Sequence, residues 1–233
     1  MLDELREPLE DHDPEHAEKL CAEIARAALG DFAPALLLIP AATRRRIRVL
    51  TSFSLTLFDF ALQRGLQGDR LAGINRWEFA LEQALEGEPA GQPIFVLMAA
   101  EERLEPWRRE ALDRLFAIAR RRAMGRQSAG DADLRTLSNA FAEALVGKRL
   151  DPRAGVFGAA LIRLRALREE ERPAPQEELD RFARSLEAGS GPLPPPWGRV
   201  ARFLQLAALR LARTSCPLGF ATRMAFLLRA RLF

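Results

Sequence analysis

Two groups of acidic residues are the strongest candidates for chemistry in this sequence. Asp59 is the only charged residue in a long apolar stretch, and Glu169 and Glu170 stand side by side much later in the chain. Both histidines, His12 and His16, lie in the acidic N-terminal segment, so the rest of the chain has no Ser-His or Cys-His nucleophile system. Acid–base chemistry would therefore fall to carboxylates, and phosphate chemistry to arginines and any metal that the carboxylates hold.

The position of Asp59 has two interpretations. Buried carboxylates are rare unless they are paired. The side chain can sit at the edge of its helix and reach water or an arginine, or it can face a cavity as a site residue. The sequence leaves both interpretations open.

Arginines cluster at residues 44–48 and 120–122. Consecutive residues of a helix point in different directions, so neither run forms one patch, and we interpret both as solvated positive faces. Nucleic-acid binding would need aromatic stacking platforms interleaved with the basic residues, and the aromatic residues here are predicted to belong to the core. We therefore predict no nucleic-acid partner.

The composition is that of a folded globular protein. The chain has 233 residues, of which 48% are hydrophobic and 29% charged, and tyrosine is absent. We predict an acidic leader at residues 1–14 and a single helical domain at 15–233. The net charge is +3, but the residues after the leader are more basic than this value suggests, because the leader is acidic. A basic protein attracts nucleic acid, anionic lipid or diphosphate, and charge alone does not distinguish these partners.

The sequence also indicates where the protein works. Cys21 and Cys216 are far apart and have no partner at metal-ligand spacing, and the N-terminus resembles no signal peptide, so we predict a cytoplasmic, reducing location. The longest apolar run, 32–42, contains two prolines and is shorter than the roughly 20 residues that cross a bilayer.

The elements that must position these residues are helices. Nearly every segment has helical periodicity and no stretch alternates as a strand does. Proline and glycine divide the chain into predicted helices at 15–29, 41–64, 69–86, 93–103, 106–123, 131–147, 152–171, 175–188, 197–214 and 217–231. The sequence thus predicts an all-α, single-domain helical bundle.

The order of landmarks resembles the squalene/phytoene synthase family, the head-to-head prenyl transferases with the class I isoprenoid (terpenoid) synthase fold. The family's tryptophan helix with its Gly-x-Pro end is similar to the segment from Trp77 to Pro93. Its first acidic motif, D-D-x-x-D, aligns with Phe58-Asp59-Phe60-Ala61-Leu62, and its second acidic helix resembles 158–169. The resemblance implies the isoprenoid synthase fold from about residue 15 onward.

The resemblance also implies a set of site residues. Those that would line a ligand site are Phe32, Arg44, Phe58, Asp59, Leu62, Ile162, Arg165, Arg168 and Glu169. Asp59 and Glu169 are the remnant catalytic candidates, and Asp59, Glu169 and Glu170 are the metal ligands if a metal binds. The family holds a magnesium cluster between two pairs of aspartates, and most of those carboxylates are replaced in this sequence.

The expected function follows from these replacements. The leading hypothesis is a degenerate, non-catalytic squalene/phytoene synthase-like protein that binds a prenyl lipid or a protein partner and needs no cofactor. One alternative is an active prenyl transferase that uses isoprenyl diphosphates and a magnesium site rebuilt from Asp59 and the glutamates at 169–171. Another is a helical interaction module without a pocket. The basic, apolar C-terminal segment 217–233 predicts peripheral membrane contact, and a packed terminal helix explains it equally well.

Overall fold

The computed structural model describes residues 14–62, 67–89, 91–125, 131–146, 177, 180, 184, 197–213 and 222–227. Every regular element in these ranges is helical, which confirms the all-α class. The elements are α1 (Pro14–Leu29), a 3₁₀ helix (Gly30–Leu38), α2 (Ala41–Leu62), α3 (Gln67–Glu86), α4 (Pro93–Leu104), α5 (Arg109–Ala123), α6 (Asp131–Val146), α7 (Trp197–Arg213) and α8 (222–227).

The predicted helix boundaries agree with these bounds to within three residues wherever a whole helix is described. The 3₁₀ helix is the exception, because the sequence predicted no helix between residues 29 and 41. Gly30 has a positive φ of 51°, which ends α1, and Pro34 lies inside the tighter helix that follows. The predicted helices at 152–171 and 175–188 lie outside the described residues, apart from three single positions.

The chain divides into two compact units. The first comprises residues 1–28, 45–130 and 143–149, and the second comprises residues 29–44, 131–142 and 150–233. The prediction of one domain over 15–233 stays a prediction.

Phe53 of α2 is the centre of the first unit's core. Its ring is 6.0 Å from that of Trp77 on α3, 6.4 Å from Phe95 on α4 and 5.8 Å from Phe116 on α5, measured between centroids. Phe53, Phe95 and Phe116 are almost completely buried. Aromatic pairs at such distances contribute about 0.5–1.5 kcal/mol each beyond the burial of their area, so this one ring of α2 joins it to α3, α4 and α5.

Polar contacts fix the start of α2 within the same unit. Arg46 is only 3% exposed and donates hydrogen bonds to the carbonyl oxygens of Glu105 at 2.6 Å and Leu145 at 3.2 Å. Arg45 donates to the buried carboxylate of Glu101 at 2.5 Å. The interpretation of residues 44–48 as a solvated positive face is therefore wrong for Arg46. Its hydrogen bonds join α2 to Glu105 and to Leu145 of α6 within the first unit.

The second unit has an apolar cluster of its own. The 3₁₀ helix supplies Ala35 and Leu38, α8 supplies Leu227, and α7 supplies Ala201, Phe203, Ala207 and Ala208. The rings of Phe203 and Phe226 meet edge to face at 6.4 Å. These contacts bring together elements far apart in sequence.

Within the described ranges, no helix is both long enough and apolar enough to span a membrane.

Candidate functional site

One face of α2 carries the residues that align with the first acidic motif. Leu55, Phe58, Asp59 and Leu62 occur at positions i, i+3, i+4 and i+7, so they form one stripe along the helix. Leu55 is 38% exposed and Leu62 is 64% exposed, whereas Phe58 and Asp59 are half-buried. The remaining faces of this part of α2 are mostly buried. We call these four residues the α2 stripe.

The stripe is apolar except for Asp59. Two exposed leucines and a half-buried phenylalanine, on a helix that is otherwise packed in a core, present a surface for an apolar molecule. Leu55 belongs to this surface but was missed by the comparison with the acidic motif, which begins at residue 58. The signal that could have found it is the seven-residue spacing between Leu55 and Leu62.

Arginines of α5 lie beside the stripe. The guanidinium of Arg122 is 5.6 Å from the centroid of the Phe58 ring, within the range of a cation–π contact. Arg120 pairs with Glu78 of α3 and donates a hydrogen bond to Asn75 at 3.1 Å. All three arginines at 120–122 are half-buried. The prediction that they form a fully solvated face is therefore wrong, because Arg120 contacts α3 and Arg122 contacts α2.

Close packing against α3 fixes the end of α2 that bears Asp59. Phe60 lies 5.6 Å from Trp77, between ring centroids, on the opposite side of the helix from Leu62. A Cβ atom built at Gly73 would lie 3.0 Å from the Phe60 ring. A side chain at this position would therefore require the Phe60 ring or α3 to shift by a few tenths of an ångström. The backbone of α2 next to Asp59 is held by this contact.

The described part of the site does not fit a magnesium cluster. Magnesium requires near-octahedral coordination by oxygen atoms, supplied by carboxylates, water and phosphate. The α2 stripe offers one carboxylate, because Phe58 and Leu62 occupy the other two motif positions. Across the residues that the structure describes, no group of three or more histidine, cysteine, aspartate or glutamate side chains could hold a metal ion.

Two predicted site residues belong to the second unit. Phe32 packs against the apolar cluster of that unit and is half-buried. Arg44 donates from Nη2 to the carbonyl oxygen of Ile39 at 3.4 Å, and its backbone N–H bonds to the carbonyl of Pro40 at 2.9 Å. Phe32 thus contributes to the apolar cluster of the second unit, and the Arg44 side chain bonds to the backbone just before α2.

The structure brings together Phe58, Asp59 and Leu62 on one helix face. The other predicted site residues, Ile162, Arg165, Arg168, Glu169 and Glu170, lie outside the described residues, and so does most of the C-terminal segment 217–233. Their roles stay predictions.

Two solved structures share the fold of this chain. A dehydrosqualene synthase, crystallised in complex with ligand, superimposes with a TM-score of 0.68 at 13% sequence identity, over 94% of this chain and 98% of that one. Squalene synthase HpnC from Alicyclobacillus acidocaldarius superimposes with a TM-score of 0.62 at 18% identity, over 94% of this chain and 95% of that one. No family model and no curated protein matches the sequence.

The two superpositions confirm that the fold is the one that the sequence resemblance implies, the all-α fold of squalene/phytoene synthases. They cover almost the whole of each chain. At these identities the likeness concerns the fold, and function must be argued from the site.

Proposed function

We propose that this chain is a squalene/phytoene synthase-like protein that binds a prenyl lipid and does not catalyse its condensation. The observation that carries the proposal is the α2 stripe: an accessible apolar face with Asp59 as its single carboxylate. A long, branched hydrocarbon chain has the chemistry to cover such a face.

The residues of the α2 stripe favour binding of an apolar ligand over binding of a diphosphate through a metal ion. Burying a leucine side chain contributes about 1.5–3 kcal/mol, and Leu55 and Leu62 are both accessible for this. A single carboxylate holds Mg²⁺ weakly, because the ion keeps most of its water unless several oxygen ligands replace it. Ionisation of an allylic diphosphate needs that metal as a Lewis acid, so the described wall supports binding better than chemistry.

The fold supports the choice of ligand class. The dehydrosqualene synthase of the same fold was crystallised with a ligand, and enzymes named for squalene and dehydrosqualene act on long isoprenoid chains. A fold built around such ligands can keep an apolar surface for them after its acidic positions are replaced.

Diphosphate release tests the absence of catalysis. The purified protein is incubated with farnesyl diphosphate and Mg²⁺, and free diphosphate is measured over time. We expect no release above that of a protein-free control. Sustained release with many turnovers would overturn the non-catalytic assignment and favour the alternative, an active transferase with a rebuilt magnesium site.

Calorimetric titration with farnesol and with farnesyl diphosphate tests the binding itself. Leu55→Ser and Leu62→Ser should each weaken binding by about tenfold, which corresponds to about 1.4 kcal/mol. Leu104→Ser is the matched control, because Leu104 is 68% exposed at the end of α4, away from the stripe. Equal affinity of all three variants, or no binding by the unaltered protein, would contradict the proposal.

A further inference from the structure

Two buried hydroxyl groups lie on the same face of α2 as the stripe. Thr51, Leu55, Phe58 and Leu62 occur at positions i, i+4, i+7 and i+11, and Ser54 lies beside Thr51 at i+3. The exposed fraction falls from 64% at Leu62 to 38% at Leu55 and to 8% at both Ser54 and Thr51. Over about 16 Å of helix, this face therefore passes from an accessible apolar end to a buried polar end.

The hydroxyl groups at the buried end are unpaired. Oγ1 of Thr51 and Oγ of Ser54 are buried and have no hydrogen-bond partner within the part of the chain that the structure describes. A hydroxyl inside a helix can bond to the carbonyl oxygen four residues earlier, and Thr56 donates to that of Ser52 in this way at 3.1 Å. Ser52 itself donates to the carbonyl oxygen of Cys21 at 3.1 Å. The two unpaired hydroxyls are the ones on the face of the stripe.

Unpaired buried hydroxyls indicate a missing partner. Nearly all buried polar groups of native proteins are hydrogen-bonded, because leaving one unpaired costs free energy. Residues three apart on a helix have Cβ atoms about 5–6 Å from each other, so one ligand oxygen can bond to both Thr51 and Ser54. Each hydroxyl can donate one hydrogen bond and accept others, which suits a ligand group that also does both.

We propose that Thr51 and Ser54 bind the hydroxyl group of an isoprenoid alcohol whose hydrocarbon chain lies along the α2 stripe. The inference rests on the proposed function and names the polar group of the ligand, which the stripe alone does not. Sequence reasoning missed both residues, because it searched the aligned acidic motif and the charged positions.

The chemistry of this end favours a neutral oxygen over a phosphate. A buried anion needs a paired cation, and the two buried groups here are neutral. Arg46, the buried arginine of α2, already donates to the carbonyl oxygens of other segments. Asp59 adds negative charge to the same face. Arg48, three residues before Thr51, is half-buried and is the cation that a phosphate ester would need.

Calorimetric titration with farnesol and with farnesene tests the assignment. Farnesene has the isoprenoid skeleton of farnesol without the hydroxyl group, and both are delivered in the same cyclodextrin. We expect farnesol to bind the unaltered protein about tenfold more tightly than farnesene. Thr51→Val/Ser54→Ala should lose about tenfold in affinity for farnesol and keep its affinity for farnesene.

Matched controls remove hydroxyls that have partners within the protein. Ser52→Ala and Thr56→Val change the same residue types on the same helix, and the buried oxygens that they remove are already bonded. Both should keep the preference for farnesol over farnesene.

Thermal unfolding without ligand gives a second measurement. Thr51→Val/Ser54→Ala replaces unpaired buried hydroxyls by apolar groups and should raise Tm by about 4 °C. Ser52→Ala should lower Tm, because it leaves the carbonyl oxygen of Cys21 without this donor. An unchanged or lower Tm of the double variant would contradict the unpaired state of the two hydroxyls.

The outcomes separate this assignment from the proposed function. Equal affinity for farnesol and farnesene, unchanged in Thr51→Val/Ser54→Ala, would overturn the hydroxyl site and leave prenyl binding in place. If neither compound binds, both the site and the proposed function are wrong. Tighter binding of farnesyl phosphate than of farnesol, lost in Arg48→Gln, would replace the neutral group by an anionic one.

Discussion

The Arg122 guanidinium lies 5.6 Å from the centroid of the Phe58 ring, at the helix position that aligns with the first aspartate of the family's acidic motif. A phenyl ring beside a cation therefore stands where the sequence resemblance places a metal-binding carboxylate. The contact joins two helices, since α2 supplies the ring and α5 the arginine.

If Phe58 and Leu62 are what prevents metal binding on this face of α2, aspartates at these two positions should create a Mg²⁺ site. Phe58→Asp/Leu62→Asp would place three aspartates, with Asp59, on one face of α2. We expect the variant to bind Mg²⁺ more tightly than the unaltered protein. At a Mg²⁺ concentration ten times the Kd, the gain in stability would be about 1.4 kcal/mol, or about 4 °C in Tm.

Thermal unfolding with and without Mg²⁺ measures this gain. The control variant is Phe79→Asp/Leu104→Asp, which adds the same charge at exposed apolar positions of α3 and α4, where the two residues are 60% and 68% exposed. An equal Mg²⁺ effect in the control would mean that general charge screening causes the shift. A specific Mg²⁺ effect in the unaltered protein would show that its own carboxylates already hold the ion.

Arg46 is predicted to be a large contributor to stability. Its side chain donates to the carbonyl oxygens of Glu105, Pro106 and Leu145 and stacks at 3.6 Å on the Trp107 ring. Burial lowers its pKa, and nearby carboxylates oppose the shift, but an arginine stays charged in proteins. Arg46→Met would leave buried carbonyls without donors and should cost about 3 kcal/mol of unfolding free energy.

Urea unfolding measures this loss of stability, and two further variants serve as controls. Arg46→Lys should recover little, because an ammonium cannot reproduce the planar fork that reaches three carbonyls. Arg26→Met, at an exposed position of α1, should change stability by less than about 0.5 kcal/mol. A full recovery by lysine would show that charge alone, rather than the geometry of the contacts, accounts for the effect.

Periodicity and proline or glycine punctuation were enough to place most helices, because these signals act within a few residues. The burial of Arg46 could not be predicted this way, since its partners Glu105 and Leu145 are distant in sequence. The same holds for the contact between Arg122 and Phe58. The candidate site could be predicted on one helix only: the family resemblance named Phe58, Asp59 and Leu62, and their spacing places them on one face of α2.

Cys21 should be unreactive in the folded protein. Burial raises the pKa of its thiol from 9.0 to about 11, with a hydrogen bond from Ser52 opposing the shift and Glu18 adding to it. In a Cys216→Ser background, reaction with a thiol reagent near pH 8 should be slow until the chain unfolds. Rapid reaction of the folded protein would contradict the burial of Cys21.

The raised pKa of Cys21 also predicts a dependence of stability on pH. The folded thiol holds its proton more tightly than the unfolded one, so its contribution is complete below about pH 9 and is lost as pH rises to about 11. The loss should approach about 2–3 kcal/mol. Urea unfolding across this window should show the loss in Cys216→Ser and not in Cys21→Ala/Cys216→Ser.

The approach of α3 to α2 should depend on the absence of a side chain at Gly73. Alanine favours a helix interior by about 1 kcal/mol over glycine, so Gly73→Ala would stabilise the chain if space allowed. Its Cβ, however, would meet the Phe60 ring at 3.0 Å, and Trp77 restricts where that ring can move. We therefore expect a net loss of about 1–2 kcal/mol in urea unfolding.

A double variant separates the clash from other effects of the alanine. Phe60→Leu removes the ring atoms nearest to Gly73, so Gly73→Ala should be neutral or stabilising in that background, with a coupling energy of about 1–2 kcal/mol. If the effects of the two substitutions on the unfolding free energy are additive, the clash with the Phe60 ring is not the cause of the loss. Because Phe60 neighbours Asp59, the same coupling measures how firmly α3 holds the end of α2 that presents the stripe.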